Sequence, residues 1–234
     1  MCGRFGVEQQ YVQLALRYQA TVDAIDPGPR FNVAPTQPVA VIRDLDGQRV
    51  LVEHRWGLVP AWAKDISIGS RMINARAETI ATQSAFRDPL VSQRCIVPAT
   101  RFYEWQTTGR VKQPFSIQRT DGEVMSFAGL WARWWDRAHE QEVLSCTVIT
   151  TTPNAVMASL HDRMPVILDG DDIDLWLDPT VRDPATLQLL LRPNPDDVLF
   201  TFPVSTRLNN ARNEGPDLVA QPSPEPRGFF DDLG

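Results

Sequence analysis

Two Asp-Gly dipeptides, each set between short runs of β-branched and aromatic residues, limit what this chain can build. The runs VAVIR (39–43) and RVLVEHRWGL (49–58) flank DLDG, and QPFSIQ (113–118) and EVMSFAGLWARW (123–134) flank TDG. Both read as hairpins, because Asp-Gly adopts the positive φ that a tight reversal between antiparallel strands requires. Further strands are expected at QRCIVP (93–98), RFYEWQ (101–106) and EVLSCTVIT (142–150). Helical spacing of Tyr11, Leu14, Ala15 and Tyr18 predicts one early amphipathic helix, and short helices are expected over 77–86, 154–160, 171–177 and 184–191. Helices and strands do not alternate regularly. The expected class is therefore α+β, a single domain with a mostly antiparallel, barrel-like β core and a few peripheral short helices. That domain is expected over residues 1–220, with the acidic, Pro-containing stretch 221–234 fraying as a tail.

With 234 residues and 43% hydrophobic composition, the chain can bury a sizeable core. It holds no apolar run of 18 residues and opens without the basic-then-apolar pattern of a signal peptide, so a cytosolic or nucleoplasmic protein with no membrane partner is expected. Cys2, Cys95 and Cys146 lie far apart without CxxC spacing, which predicts reduced thiols and no structural metal. Nothing in the pattern calls for a cofactor. The net charge of −6 argues on its face against a nucleic-acid partner. That charge is uneven, however: 12 of the 29 acidic residues but only 5 of the 23 basic ones fall within 171–234. Only Lys64 and Lys112 are lysines, so the cationic surface is almost all Arg, which grips phosphates bidentately or else reflects a genome's base composition.

Cys2 stands directly behind Met1. A residue this small permits Met1 removal, which would leave an amine and a thiol on one residue. Glu104 lies in an aromatic run, where strand alternation sends Phe102 and Glu104 to one face. It is either a solvent-facing acid on an edge strand or a partly buried one whose pKa its apolar neighbours raise. His161 follows an amphipathic segment and precedes Asp162, a setting in which a lone His is more often structural than catalytic. Asn74 alone reads as a turn or capping residue, with Glu78 available to start a helix.

Taken together, MCGRF (1–5), FNVAP (31–35), WGLVPAW (56–62), INARAET (73–79), FYEW (102–105), VIT (148–150), HDRMPVIL (161–168) and a late VS…N…N.G pattern (204–215) resemble the SRAP family, abasic-site processing proteins whose name stands for SOS-response-associated peptidase. The resemblance covers about residues 1–219. It implies a covalent sensor of abasic sites in single-stranded DNA, in which the mature Cys2 amine and thiol capture the ring-opened deoxyribose as a thiazolidine. An α-amine, with a pKa of about 7.7–8.0, is substantially neutral at physiological pH, whereas a lysine near 10.4 is not. The resemblance also implies that Asn74 holds the N-terminal residue, that Glu104 manages protons on the amine and the departing hydroxyl, and that His161 serves the sugar oxygen. β-Elimination of the 3′ phosphate, a lyase activity, is an implied side reaction.

Carried over by position, DNA contacts would be Arg4, Asn32, Trp62, Arg76, Thr150 and Arg163. Trp62 stacks or wedges in that picture, and is otherwise a core or lid aromatic beside Pro60. Some relatives carry two adjacent tryptophans here, whereas Trp62 is followed by Ala63, so the wedge is either weaker or borne by Trp62 alone. Three rivals remain: a glutamine amidotransferase with the same Met-Cys-Gly opening, a noncovalent single-strand binder, and the peptidase of the family's name. For the last, the sequence supports only removal of its own Met1, since no serine, metallo or Cys/His protease signature is present.

Overall fold

The computed structural model describes residues 2–109 and 111–221. The tail expected over 221–234 lies outside them except for Gln221. In chain order the elements are β1 (Phe5–Val7), α1 (Tyr11–Tyr18), β2 (Thr21–Val22), β3 (Arg30–Val33), β4 (Pro38–Leu45), β5 (Gln48–Trp56), β6 (Asn74–Arg76), α2 (Arg87–Ser92), β7 (Arg94–Ala99) and β8 (Arg101–Thr108). There follow β9 (Val111–Arg119), β10 (Met125–Asp136), β11 (Gln141–Thr151), α3 (Ala155–Ala158), β12 (Met164–Pro165), β13 (Ile167–Leu168), α4 (Asp171–Leu177), α5 (Pro184–Leu189) and β14 (Leu199–Pro203).

Five strands close on themselves in the order β5, β4, β7, β10, β11, and the barrel is sealed where β11 runs parallel to β5 at Ser145↔Arg55 and Cys146↔Trp56. The other four barrel pairings are antiparallel. A second, wholly antiparallel sheet orders its strands β14, β9, β8, β1, β3. The expected α+β class with a barrel-like, mostly antiparallel core is what the chain adopts.

Alternation sorts the barrel residues into two buried sets. Val39 and Val41 of β4, Cys95 and Val97 of β7, and Phe127 of β10 join one cluster, which draws in Phe5 and Phe102 from the second sheet. Ala40, Ile42, Ile96, Ala128 and Leu130 face the other way, onto Leu14 of α1, Trp176 of α4 and Leu187 of α5. Both faces of these strands are thus covered, so they read as continuous apolar runs. Phe5 meets Trp56 edge-on at 5.0 Å and Phe127 at 6.2 Å, and Phe102 meets Phe127 at 5.9 Å. Each buried ring contributes about 1.5–3 kcal/mol, against about 1 kcal/mol net per ladder hydrogen bond. Burial of Phe5 alone is therefore worth about two or three ladder bonds to the three-residue β1.

The DLDG turn joins β4 to β5 as a hairpin, with Leu45 opposite Gln48. The TDG segment does not make one. β9 pairs with β8 and β14, while β10 pairs with β7, β11 and β13, so the Asp121-Gly122 turn carries the chain from one sheet to the other. The helix expected over 77–86 is also absent. Ile80, Ala85 and Phe86 are buried, but the segment is a string of turns. Thr82 Oγ1 donates to the Thr79 carbonyl at 3.0 Å and Gln83 Nε2 to Thr79 Oγ1 at 3.1 Å, local bonds that compete with a helical ladder. The 154–160 helix contracts to Ala155–Ala158, capped where Asn154 accepts from the Met157 amide at 3.0 Å. Among the described residues no helix is long and apolar enough to cross a membrane.

Between β5 and β6 the chain makes a loop whose two glycines meet back to back. Gly57 has φ 122°, and a Cβ there would lie 2.5 Å from the Gly69 carbonyl oxygen. A Cβ on Gly69 would meet the Gly57 oxygen at the same 2.5 Å. Gly57→Ala is expected to destabilise the protein by about 2–5 kcal/mol through combined backbone strain and overpacking. Urea unfolding should show this as a lower midpoint at unchanged slope; a wild-type midpoint would mean that the loop yields freely.

Candidate active site

Cys2 lies just ahead of β1, wholly buried in the cluster that also holds Phe5, Trp56 and Phe102. Its carbonyl is tied to β6. Trp56 Nε1 donates to the Ile73 carbonyl at 2.9 Å and the Val148 amide donates to the same oxygen at 3.1 Å. This fixes Asn74, paired with Val148 on β11, so that its Nδ2 donates to the Cys2 carbonyl at 2.8 Å. Asn74 Oδ1 is buried and accepts from none of the described residues. The thiol is directed at the Arg4 carbonyl, 3.9 Å away. Burial pushes the Cys2 thiol well above its ordinary value and the Glu104 charge adds to the effect, so the sulfur is held as S–H.

Glu104 is buried on β8, on the Phe102 side of the strand, at 4% exposure. Of the two alternatives its aromatic surroundings left open, the buried acid holds. Desolvation pushes its carboxyl up to about 7, and the positive charge of the chain's amino terminus partly opposes this. His161 follows α3, half-buried, its amide donating to Met157 at 2.8 Å. Its Nδ1 lies 3.0 Å from the Arg163 amide and 2.8 Å from Asp162 Oδ1. An unprotonated Nδ1 accepts the first and a protonated one donates to the second, so the ring's partner changes with the proton on Nδ1. Burial lowers the His161 pKa, and the amino-terminal charge lowers it further while Asp162 resists. The amino-terminal charge, carried by Met1 in the unprocessed chain, thus lowers the pKa values of Cys2, Glu104 and His161 alike.

The residues expected to contact DNA fall into buried and exposed groups. Arg4 Nη1 donates to Asn32 Oδ1 at 2.7 Å and to the Leu208 carbonyl at 3.1 Å. Asn32 is wholly buried, and its Nδ2 donates to the carbonyls of Asn210 at 3.1 Å and Asn213 at 2.8 Å. Thr150 is wholly buried too, and its carbonyl accepts from Arg163 Nη2 at 2.6 Å. Arg163 also forks onto Glu78, with bonds of 2.6 and 2.8 Å. Arg76 and Trp62 face solvent, Trp62 at 57% exposure on the loop that ends at Asn74.

The family model for the SOS response associated peptidase matches residues 1–211. The chain belongs to the SRAP family. Similar proteins include abasic site processing protein YoqW of Bacillus subtilis (strain 168), 40% identical over 224 residues, 94% of this chain and 99% of the relative. Abasic site processing protein HMCES of Gallus gallus is 33% identical over 222 residues, 82% of this chain and 66% of the relative. A crystal structure of a Bacteroides thetaiotaomicron protein superposes with a TM-score of 0.85 at 26% identity, covering 95% of this chain and 100% of that one.

Sequence reasoning missed several parts of this SRAP site. Trp105 forms a wall on which Arg4 stacks at 5.7 Å and Lys112 at 5.3 Å, with its Nε1 donating to Asn209 Oδ1 at 2.6 Å. The signals were present in FYEW and in the late Asn pair, but their meeting depends on a short 3₁₀ turn over Thr206–Asn209 that periodicity does not show. Glu78, read as a potential helix starter, is instead the partner of Arg163, which holds its carboxyl below the ordinary range. Among the described residues of this SRAP chain, no group of three His, Cys, Asp or Glu is arranged to hold a metal ion. All three cysteines are free and buried.

Proposed function

We propose that this chain captures abasic sites in single-stranded DNA through Cys2 after hydrolysis of the Met1–Cys2 bond. The observation that carries the proposal is the Asn74 hydrogen bond to the Cys2 carbonyl beside an acid, Glu104, that titrates at about 7. A residue held by its own carbonyl presents a freed amine in a fixed direction, and Asn74 Oδ1, buried without a described partner, is suited to accept one of its N–H groups. The names of the YoqW and HMCES relatives, abasic site processing proteins, support the abasic-site part of this reading.

In the proposed reaction the neutral amine adds to the aldehyde of the ring-opened sugar, giving a carbinolamine. Glu104, protonated, donates to the departing hydroxyl, and water leaves as the C=N bond forms. The thiol then adds across C=N: sulfur bonds to carbon and the thiol proton ends on nitrogen. The net change is aldehyde plus aminothiol giving thiazolidine plus water. A thiol held as S–H is consistent with amine attack first and sulfur second. His161 hydrogen-bonds the sugar oxygen as the ring opens. Loss of the 3′ phosphate by β-elimination competes at the imine stage, giving a minor lyase activity, and the only proteolysis proposed is removal of Met1.

Arg4, Arg76 and Arg163 contact phosphates and Trp62 stacks on a base, while Asn32 and Thr150 act by orienting Arg4 and Arg163. A phosphate would displace Glu78 from the Arg163 fork. The protein acts as a cytoplasmic monomer on nucleoid DNA. Intact mass measured before and after mixing with a single-stranded oligonucleotide carrying one abasic site tests this. The expected result is protein lacking Met1, then one heat- and SDS-stable adduct with loss of one water. Retention of Met1 in adduct-forming protein, or an equal yield from Cys2→Ala, would sink the proposal.

A further inference from the structure

Beyond the capture site, the β10–β11 hairpin outlives the barrel. β5 pairs with β11 only at Ser145 and Cys146, yet β10 and β11 stay paired beyond Ser145 as far as Asp136↔Gln141. Along this arm alternation buries Trp134 and turns Trp135 outward at 57% exposure. Trp134 Nε1 donates to the Ala63 carbonyl at 2.8 Å, binding the arm to the loop that carries Trp62. A groove of about 630 Å³ lies between them, with Trp62 and Lys64 on one wall and Trp135 and Arg137 on the other. Trp62 is also the ridge to a second cleft of about 310 Å³, lined by Lys64 and Arg71.

Trp62 and Trp135 are the exposed tryptophans among the described residues, and they share one groove. The acids there are committed elsewhere. Asp65 accepts from the Ser67 amide at 2.7 Å, and Asp136 accepts from the Ala138 amide at 3.0 Å and pairs with His139 at 2.7 Å. Among the described residues Lys64, Arg71 and Arg137 form no ion pair, although Arg17, Arg49, Arg101, Arg119 and Arg163 do. Uncommitted cations interleaved with exposed aromatic faces suit one chemistry above others: a backbone of phosphates carrying unpaired bases.

We infer that the Trp62–Trp135 groove is a second nucleotide-binding subsite, in which an unpaired base flanking the damaged position stacks on Trp135 while Arg137 and Lys64 meet the neighbouring phosphates. This rests on the single-strand reading above and adds a strand path along the hairpin arm. Duplex DNA does not satisfy it, because paired bases cannot offer their faces to Trp135.

The test is fluorescence anisotropy with fluorescein-labelled undamaged dT15 and a 15-base-pair duplex, using wild type, Trp135→Ala, Trp135→Phe and Arg137→Glu. Trp135→Ala is expected to weaken dT15 binding by roughly five- to hundredfold, with a smaller effect on duplex, and Trp135→Phe to restore most of the loss. Arg137→Glu should weaken both ligands and reduce the slope of log affinity against log salt by about one. Wild-type affinity of Trp135→Ala for dT15, or equal losses for dT15 and duplex, overturns the inference and assigns the groove to another partner. The two proposals fail separately. A protein that forms no abasic adduct but loses dT15 affinity on Trp135→Ala keeps the subsite and loses the capture chemistry, and the reverse pattern loses only the subsite.

Discussion

Cys2→Ser protein is expected to react with an abasic single strand yet leave no adduct that survives heating in SDS unless borohydride is added. The serine amine has the same access to the aldehyde and a similar pKa, so imine formation persists. What disappears is closure through sulfur, since the oxygen analogue of the ring is far less stable and the C=N bond reverts to amine and aldehyde in water. Borohydride delivers hydride to that carbon and converts the imine to a permanent secondary amine. The wild-type protein should need no reductant. The substitution changes little volume, although at the 3.9 Å that now separates Sγ from the Arg4 carbonyl a hydroxyl is beyond hydrogen-bond reach of it. A Cys2→Ser adduct as heat-stable as wild type, formed without borohydride, would show that sulfur is not what makes the linkage last.

Glu104→Gln is expected to slow adduct formation by about a hundredfold or more and at the same time to stabilise the folded protein above pH 7. The kinetic effect follows from loss of a proton donor poised at about 7, and the variant should also lack the inflection in rate expected of wild type near that pH. The stability effect has the opposite sign for a definite reason. Glu104 titrates at about 7 folded against an ordinary 4.5, so between those values the folded state binds more protons than the unfolded state. Stability therefore falls as pH rises through this window and stays lowered above it, by up to about 3 kcal/mol. A neutral Gln lacks that penalty. Urea unfolding at pH 5 and pH 8 reads it directly: the two proteins should be close at pH 5, and the variant should have the higher midpoint at pH 8. A wild-type advantage at pH 8 would mean that the buried carboxylate is better compensated than its surroundings indicate.

How much of this was legible in the sequence differs from element to element. The β4–β5 hairpin could be read because its Asp-Gly turn joins two strands that have edges free for each other. The same dipeptide at 121–122 misleads, because turn chemistry reports that the chain bends and not which strands then pair. β9 had already used both edges on β8 and β14. Seams between distant strands, such as β5 against β11, leave no local trace at all. In the site, Cys2, Asn74, Glu104 and His161 were named by motif, but the alternation of FYEW could not decide whether Glu104 faced water; the packing of β8 beside Cys2 does. Asn32 and Thr150 show the converse. Their motifs were visible, but only the three-dimensional arrangement puts them beneath Arg4 and Arg163 rather than at the surface. Trp135 sat unnoticed beside Trp134 because adjacent tryptophans look alike until alternation turns one of them outward.

The hydrogen bond from Asn74 to the Cys2 carbonyl has a consequence for how such a protein can be elaborated. On the proposed capture chemistry this buried residue must also carry a free amine, so a purification tag left attached upstream of Cys2 is expected to abolish adduct formation. The same tag placed downstream is expected to leave adduct formation intact, so the two ends of the chain should differ in what they tolerate.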